Sequence, residues 1–448
     1  MKSALKQRGA VWLAMGLVLG GMASAARAAI PIQHWVHASG ARVYLVESPA
    51  IPMLDVQIDV DGGSRRDPPQ QAGLARATAG MLSAGVLAGD GQPALDENRL
   101  AEAWADLGAS FGASAGGDRF SVSLRSLTRP ALLERAVALA ARQLAAPAWS
   151  DAVWQRERER LVAGLREAET RPGTLAGRRF AQAVYGDHPY GRDATAATLA
   201  AIDVGAQRSF YRRHVAACRA QVVLVGAVDR AGADRIVGPL MAALQGHGCE
   251  ALPPVPEVAP LAAAQDIRLP FDAAQAQVLI GQPGMRRDDP DFFPLFVGNY
   301  ILGGGGFVSR LTTEVREKRG LSYSVYSYFM PGQHAGAFQV GLTTRPDQAD
   351  QAIAVVRDEL ARFVAEGPTA AELRAAQAYL VNGFALRIDS NRKLLDNVAN
   401  IAWHGLPLDY LDTWTQQIER VGLDDIRRAF RRVLQPDRMV TVVVGAQP

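Results

Sequence analysis

Apolar and polar positions along the chain fall into a pattern that runs through once and then recurs. Val43 to Val46 and Leu54 to Val60 are short β-type runs, rich in branched residues and bounded by turn formers. Gln70 to Gly85, QQAGLARATAGMLSAG, places Leu74, Ala77, Met81 and Leu82 near helical spacing, which predicts a buried helix entered near Gly73. Ser150 is placed to cap a helix running towards Glu169. Phe210-Tyr211-Arg212-Arg213 then leads into the strand Val222 to Val225, stopped by Gly226-Ala227. The second pass opens with strands at Ile267 to Leu269 and Gln277 to Ile280. Pro346 predicts the start of a long helix that Gly367-Pro368 stops. Phe430-Arg431-Arg432 leads into Val442 to Val444 and Gly445-Ala446. Between the passes lies ALPPVPEVAP, Ala251 to Pro260, whose prolines and lack of periodicity read as a linker. The pattern predicts an α+β protein built by duplication, with domains at 29–250 and 263–448 joined by a linker at 251–262.

Length agrees, since 448 residues exceed one ordinary domain, and 48% hydrophobic residues supply sizeable cores. A formal net charge of +3 with well-mixed signs gives no reason to expect nucleic acid as a partner. The N-terminus has separate logic. Lys2, Lys6 and Arg8 precede the apolar run Ala10 to Met22, and Ala26-Arg27-Ala28 fits a small-x-small cleavage site. Residues 1–28 therefore read as a signal peptide, with an uncleaved anchor as the alternative, and the expected location is periplasmic or secreted. No later run is long enough to span a bilayer, so no span is expected in the mature chain. Cys218 and Cys249 can form a disulfide in an oxidising compartment or stay as two thiols.

Candidate chemistry is sparse. On the helix after Gly73, Arg76, Ala79 and Gly80 stand at i, i+3 and i+4, the spacing at which side chains on one face grip a metal. Yet they offer one cation and two positions with almost no side chain. His34 and His37 have a spacing that puts them on opposite strand faces, and the remaining histidines are scattered singly, so structural roles are expected. The RERERL run after Gln155 reads as a solvated helix face. The four glycines Gly303 to Gly306 lack the Gly-Lys-Ser/Thr ending of a phosphate loop.

Ile301-Leu302 and those four glycines lead to Ser309-Arg310-Leu311, then to Glu314-Val315-Arg316-Glu317-Lys318-Arg319-Gly320-Leu321-Ser322-Tyr323-Ser324-Val325. This stretch closely resembles the second domain of short pitrilysin/insulinase-like (M16) zinc peptidases. Asp187 with His188-Pro189-Tyr190-Gly191-Arg192, and Glu366-Gly367-Pro368-Thr369, agree with it, and the likeness covers nearly all of the mature chain. It implies two duplicated α/β domains of the M16 peptidase/LuxS-like metallohydrolase type. In that family the first domain carries H-x-x-E-H on a helix: two histidines and a downstream glutamate bind zinc, and the motif glutamate activates water. Here the frame Gly73-Leu74-Ala75 and Met81-Leu82 is kept, but Arg76 and Gly80 fill the histidine positions, Ala79 the glutamate position, and Gly164 aligns with the downstream glutamate. Arginine has no lone pair to give a metal, and alanine and glycine have no side-chain donor. The resemblance thus implies no metal and no cofactor in this chain, which alone would be inactive.

Other implied features remain. Arg316 and Tyr323 have the spacing of a family pair that reaches from the second domain towards a zinc site, binds substrate carbonyls and stabilises an oxyanion. Taken alone, they would read as a surface arginine and a packed tyrosine. Gly320 is expected to end the helix carrying Arg316, and Tyr323 to begin a strand. Peptide would add to the edge of Phe111-Gly112-Ala113-Ser114-Ala115, in particular along Ala113, Ser114 and Ala115. The implied function is a non-catalytic, substrate-binding subunit of a heteromeric periplasmic zinc endopeptidase acting on unfolded peptides. Its partner would be a homologous M16 subunit carrying H-x-x-E-H and the zinc. The alternative is an inactive peptidase-like protein that binds peptides or supports assembly.

Overall fold

The branched apolar runs become strands, and the helical repeats between them cover those strands on both faces. The coordinates are a computed structural model describing residues 30–89, 91–246 and 248–445; the expected signal peptide and His247 lie outside them. The first half contains strands β1 (Gln33–Val36), β2 (Arg42–Glu47), β3 (Met53–Val60), a two-residue ribbon of β4 (Gly85–Val86) and β5 (Leu95–Asp96), then β6 (Ser110–Ala115), β7 (Phe120–Leu127) and β8 (Gln221–Gly226). Its helices are α1 (Leu74–Met81), α2 (Glu97–Asp106), α3 (Pro130–Ala145), α4 (Asp151–Glu169), α5 (Pro172–Tyr185), α6 (Ala196–Ala200), α7 (Val204–His214) and α8 (Arg230–Ala242). The second half contains β9 (Gln265–Leu269), β10 (Ala276–Pro283), β11 (Ser324–Phe329), β12 (Ala337–Thr344) and β13 (Val440–Val444). Its helices are α9 (Phe292–Asn299), α10 (Ala349–Glu366), α11 (Ala370–Asn382), α12 (Asn391–His404), α13 (Tyr410–Arg420) and α14 (Leu423–Val433).

The two large sheets have one topology. The first is six-stranded in the order β1-β2-β8-β3-β7-β6, and the second five-stranded in the order β11-β12-β10-β13-β9. Set β1 aside and the orders match. The opening strand runs parallel to the last (β2 with β8, β9 with β13), and every other pairing is antiparallel. Each sheet ends in an unpaired edge, β6 in one and β11 in the other. The duplication expected from the pattern is therefore present as strand order and direction.

Packing crosses the linker. α12, from the second half, covers the outer face of the first sheet, burying Leu395 and Val398 with Val223 and Val225. α5, from the first half, covers the outer face of the second sheet, burying Phe180 and Val184 with Val440, Val442 and Val444. Val222 and Leu224 face the first half's own core instead, as Val443 faces the second's. This period-2 division explains why β8 and β13 are apolar at almost every position: helices cover both faces. The domain limits drawn from the sequence separate the two sheets, but each half lends the other a helix.

The linker is held along its length. Arg66 donates to the Pro253 carbonyl, His188 Nε2 donates to Pro256 O at 3.0 Å, and Glu257 pairs with Arg286 at 3.0 Å. Across the junction Gln333 N donates to Asp118 Oδ2 at 3.0 Å. Cys218 and Cys249 form a disulfide, with Cα atoms 6.1 Å apart. It closes a stretch with a sequence separation of 31, a loop length for which a cross-link is worth roughly 2–4 kcal/mol. Ser150 caps α4 through Val153 N at 3.3 Å. The helix expected from Pro346 starts later: Pro346–Gln348 form a 3-10 turn and α10 begins at Ala349. Among the described residues no helix is long and apolar enough to cross a membrane.

Candidate functional site

α1 is entered through Gly73 at φ 103°, a left-handed conformation that glycine adopts without a Cβ penalty. The cap comes from upstream. Asp67 accepts from Gly73 N and Ala75 N, both at 2.8 Å, satisfying amides that a helix start leaves open. Burial raises the Asp67 carboxyl to about 6, against the pull of those amides and of Arg76. Leu74, Ala77 and Met81 are buried as the spacing predicts, while Arg76 and Gly80 are exposed. Ala79, at 2% exposure, belongs to the core.

Arg76, Ala79 and Gly80 line one cavity of about 340 Å³, together with Ala113, Ser114 and Ala115 of the edge strand β6. The sequence-predicted helix face and peptide-binding strand are thus brought together. Gly164 is not in the lining. It lies on an exposed stretch of α4, where an added Cβ would meet nothing within 4 Å. The carboxylate that α4 turns towards α1 is Glu157, seven residues earlier, and it does line the cavity. This corrects two expectations. Gly164 is not the position facing the metal-type helix, and the RERERL run is not wholly solvated, because Glu157 inside it is half-buried.

The donors do not fit a metal. Glu157 is held by Arg160 at 2.7 Å, with Arg156 at 3.7 Å, and Arg76 adds a further positive charge to the lining. One ion-paired carboxylate among cations lacks the three lone-pair ligands that zinc requires. Among the described residues no group of three His, Cys, Asp or Glu is placed to hold a metal ion. The histidines are not all single, however. His188 and His334 come from different halves and meet with ring centroids 5.3 Å apart. Both are at least 90% buried, and both are engaged by the linker: His188 by the Pro256 carbonyl and His334 by Glu257 at 3.1 Å.

The second-half pair sits elsewhere in this chain. Arg316 lies on a π-helical segment, Thr312–Glu317, and Tyr323 immediately precedes β11 rather than beginning it. The Arg316 guanidinium is 4.7 Å from the ring centroids of both Phe307 and Tyr323. Tyr323 is 79% exposed and Phe307 67%. Among the described residues no carboxylate pairs with Arg316, which is half-buried between those two rings, whereas Tyr323 is exposed. The glycine loop beneath it is explained by packing. A Cβ on Gly303 would lie 2.4 Å from Ser327 Oγ, and Gly306 has φ +60°. Neither Arg316 nor Tyr323 lines the α1 cavity.

A duplicated α+β shell, a metal-type helix without a donor set and an Arg/Tyr pair beside an edge strand set the frame in which the likeness to known proteins is read. Residues 202–380 match the family model described as the peptidase M16 inactive domain. A crystal structure of a peptidase M16 inactive domain from Pseudomonas fluorescens superposes with a TM-score of 0.86, at 33% identity, covering 93% of this chain and 98% of that one. An uncharacterized zinc protease of Streptomyces coelicolor is 32% identical over 289 residues, and the match spans 62% of this chain and 62% of that relative's length. A non-peptidase homolog, YmxG, from Helicobacter pylori is 33% identical over 160 residues, 35% of this chain and 36% of its own. The chain belongs to the M16 peptidase family, as an inactive-domain, peptidase-like member.

Proposed function

We propose that this chain is the non-catalytic, substrate-binding subunit of a heteromeric periplasmic zinc endopeptidase. The observation that carries the reading is a division of parts. The α1 cavity lacks a metal-binding donor set, whereas the half-buried Arg316 stands against the exposed Tyr323, without an acidic partner among the described residues, outside that cavity. A guanidinium and a phenol held in this way are suited to bind a peptide carbonyl and the charge that develops on it. The partner would be an M16 chain carrying H-x-x-E-H and the zinc. The unpaired edge of β6, at Ala113 to Ala115, would take an unfolded peptide by main-chain hydrogen bonds. The Cys218–Cys249 disulfide favours an oxidising compartment, in keeping with the N-terminal signal-like segment.

Reconstitution tests this. Cleavage of an unfolded peptide should require both chains. Arg316→Ala or Tyr323→Phe should lower turnover by about 100-fold, the scale of losing one oxyanion donor, with unchanged assembly by sedimentation. Full activity from the partner alone would defeat the proposal. Peptide binding without turnover in any combination would favour an assembly or peptide-holding role.

A further inference from the structure

A second cavity, of about 400 Å³, lies in the second half among α9, the end of β11, α12 and α13. It shares no lining residue with the α1 cavity and includes neither Arg316 nor Tyr323. Its walls are aromatic: Phe292, Phe296, Tyr410 and Trp414 line it, and Phe292 stacks on Phe296 at 5.9 Å. Two guanidiniums are set into those walls. Arg287 lies 3.8 Å from the Phe292 centroid and 5.2 Å from that of Tyr410. Arg387 lies 5.7 Å from Phe296 and 5.4 Å from Trp414.

The charges are uncompensated. Arg287 is only 7% exposed, and its one side-chain hydrogen bond among the described residues goes to the Tyr410 hydroxyl at 2.7 Å. Neither arginine has a carboxylate within 4.0 Å among the described residues, and no Asp or Glu lines the cavity. Neighbouring acids are committed elsewhere: Asp288 to Arg286, Asp289 to Arg432, and Asp389 to Lys393. Asn400 adds an amide that has no side-chain hydrogen bond among the described residues. A buried cation is costly unless an anion or strong acceptors meet it, and cation–π contacts recover only part of that cost. An aromatic chamber of this volume is of ligand size.

The geometry points to a binding site for a carboxylate that carries an aromatic or other bulky apolar group. Arg287 and Arg387 take the carboxylate by charge-assisted hydrogen bonds, and the ring walls take the apolar body. Such a group occurs on a small organic acid and at the C-terminus of a peptide. The site stands on its own residues, whether or not the chain pairs with a zinc-bearing subunit.

Calorimetric titration of the full chain separates the outcomes. N-acetyl-L-phenylalanine is expected to bind at least about ten-fold more tightly than its neutral amide, the scale of a hydrogen bond to a charged group. Arg387→Gln, at the exposed rim, should weaken binding of the acid by about ten-fold with the melting temperature of the free chain unchanged. Arg287→Lys keeps the charge, loses the fork and should also weaken it. A short peptide ending in phenylalanine, with free or amidated C-terminus, identifies the source. Binding by the free-terminus peptide assigns a peptide end, and binding by the small acid alone assigns a metabolite-sized ligand. Equal affinity for acid and amide, an Arg387→Gln variant that binds the acid as the native chain does, or no binding of either carboxylate would each overturn the site.

Discussion

The two halves share a sheet order and differ in what their edges present. In the first, α1 stands beside the edge strand β6 with two exposed positions, Arg76 and Gly80, that offer a metal nothing. In the second, a π-helical segment, Tyr300–Gly304, stands beside the edge strand β11, and the segments that follow it carry Phe307, Arg316 and Tyr323, with Arg316 on the π-helical turn Thr312–Glu317. In both, frame residues such as Leu74 and Met81, or Leu311 and Val315, are buried in the core. Stability and chemistry reside in different residues here.

The largest expected effect restores what the first half lacks. Arg76→His with Gly80→His creates an i, i+4 histidine pair facing Glu157, and an added side chain at Gly80 meets open space. This double variant should gain zinc affinity by several orders of magnitude, measured by competition with a chromophoric chelator. Adding Glu157→Gln should remove the gain, and Gly164→Glu placed on top of it should not bring the gain back. Recovery of zinc affinity through Gly164→Glu would return the third position to Gly164. Metal binding alone should not bring hydrolysis, since Ala79 supplies no base.

Next in size is a pair of glycine substitutions with opposite signs. Gly303→Ala forces a Cβ to 2.4 Å from Ser327 Oγ and 2.6 Å from Ser327 N, and should destabilise by about 1–3 kcal/mol. Gly80→Ala fills open space in a helix and should stabilise by roughly 0.5–1 kcal/mol. Urea midpoints at constant slope would read both. Equal signs would break the contrast between a packed second-half glycine and an unconstrained first-half one.

The last contrast is in pH. Burial lowers His214, at the end of α7, to about 4, and His404, at the end of α12, to about 4 as well. Each binds its proton more weakly in the folded chain than at the ordinary value of 6.5. Their contribution is therefore whole above pH 6.5 and falls away as pH drops towards 4. Asp67 works the other way: raised to about 6 from 3.8, it holds a proton better when folded and adds stability over the same descent. The two histidines should outweigh it, so the denaturation midpoint should fall between pH 6.5 and 4. Asp67→Asn should make that fall steeper.

Much of this was legible in the sequence, for identifiable reasons. Strands such as Val222 to Val225 announce themselves by continuous branched apolar residues, and the frame around Arg76 survives as Gly73-Leu74-Ala75 and Met81-Leu82. Arg316 and Tyr323 were found through the motif that holds them, not through any property of their own. Several features were hidden. The exchange of α5 and α12 leaves no local trace, because an amphipathic helix shows the same stripe whichever sheet it covers. Glu157 stands in a run of alternating charges, so only the placement of α4 shows which carboxylate turns inward. The π-helical segments hydrogen-bond at a spacing that helical periodicity does not register. The meeting of His188 with His334 is likewise a product of tertiary packing, as is the gathering of Arg287 and Arg387 around one aromatic cavity.

The most direct test weighs the metal in the purified chain alone. Elemental analysis after zinc-supplemented expression and desalting should find far less than one zinc per chain, with no chelator-sensitive cleavage of an unfolded peptide. One tightly held zinc per chain, accompanied by cleavage that a chelator abolishes, would contradict the account.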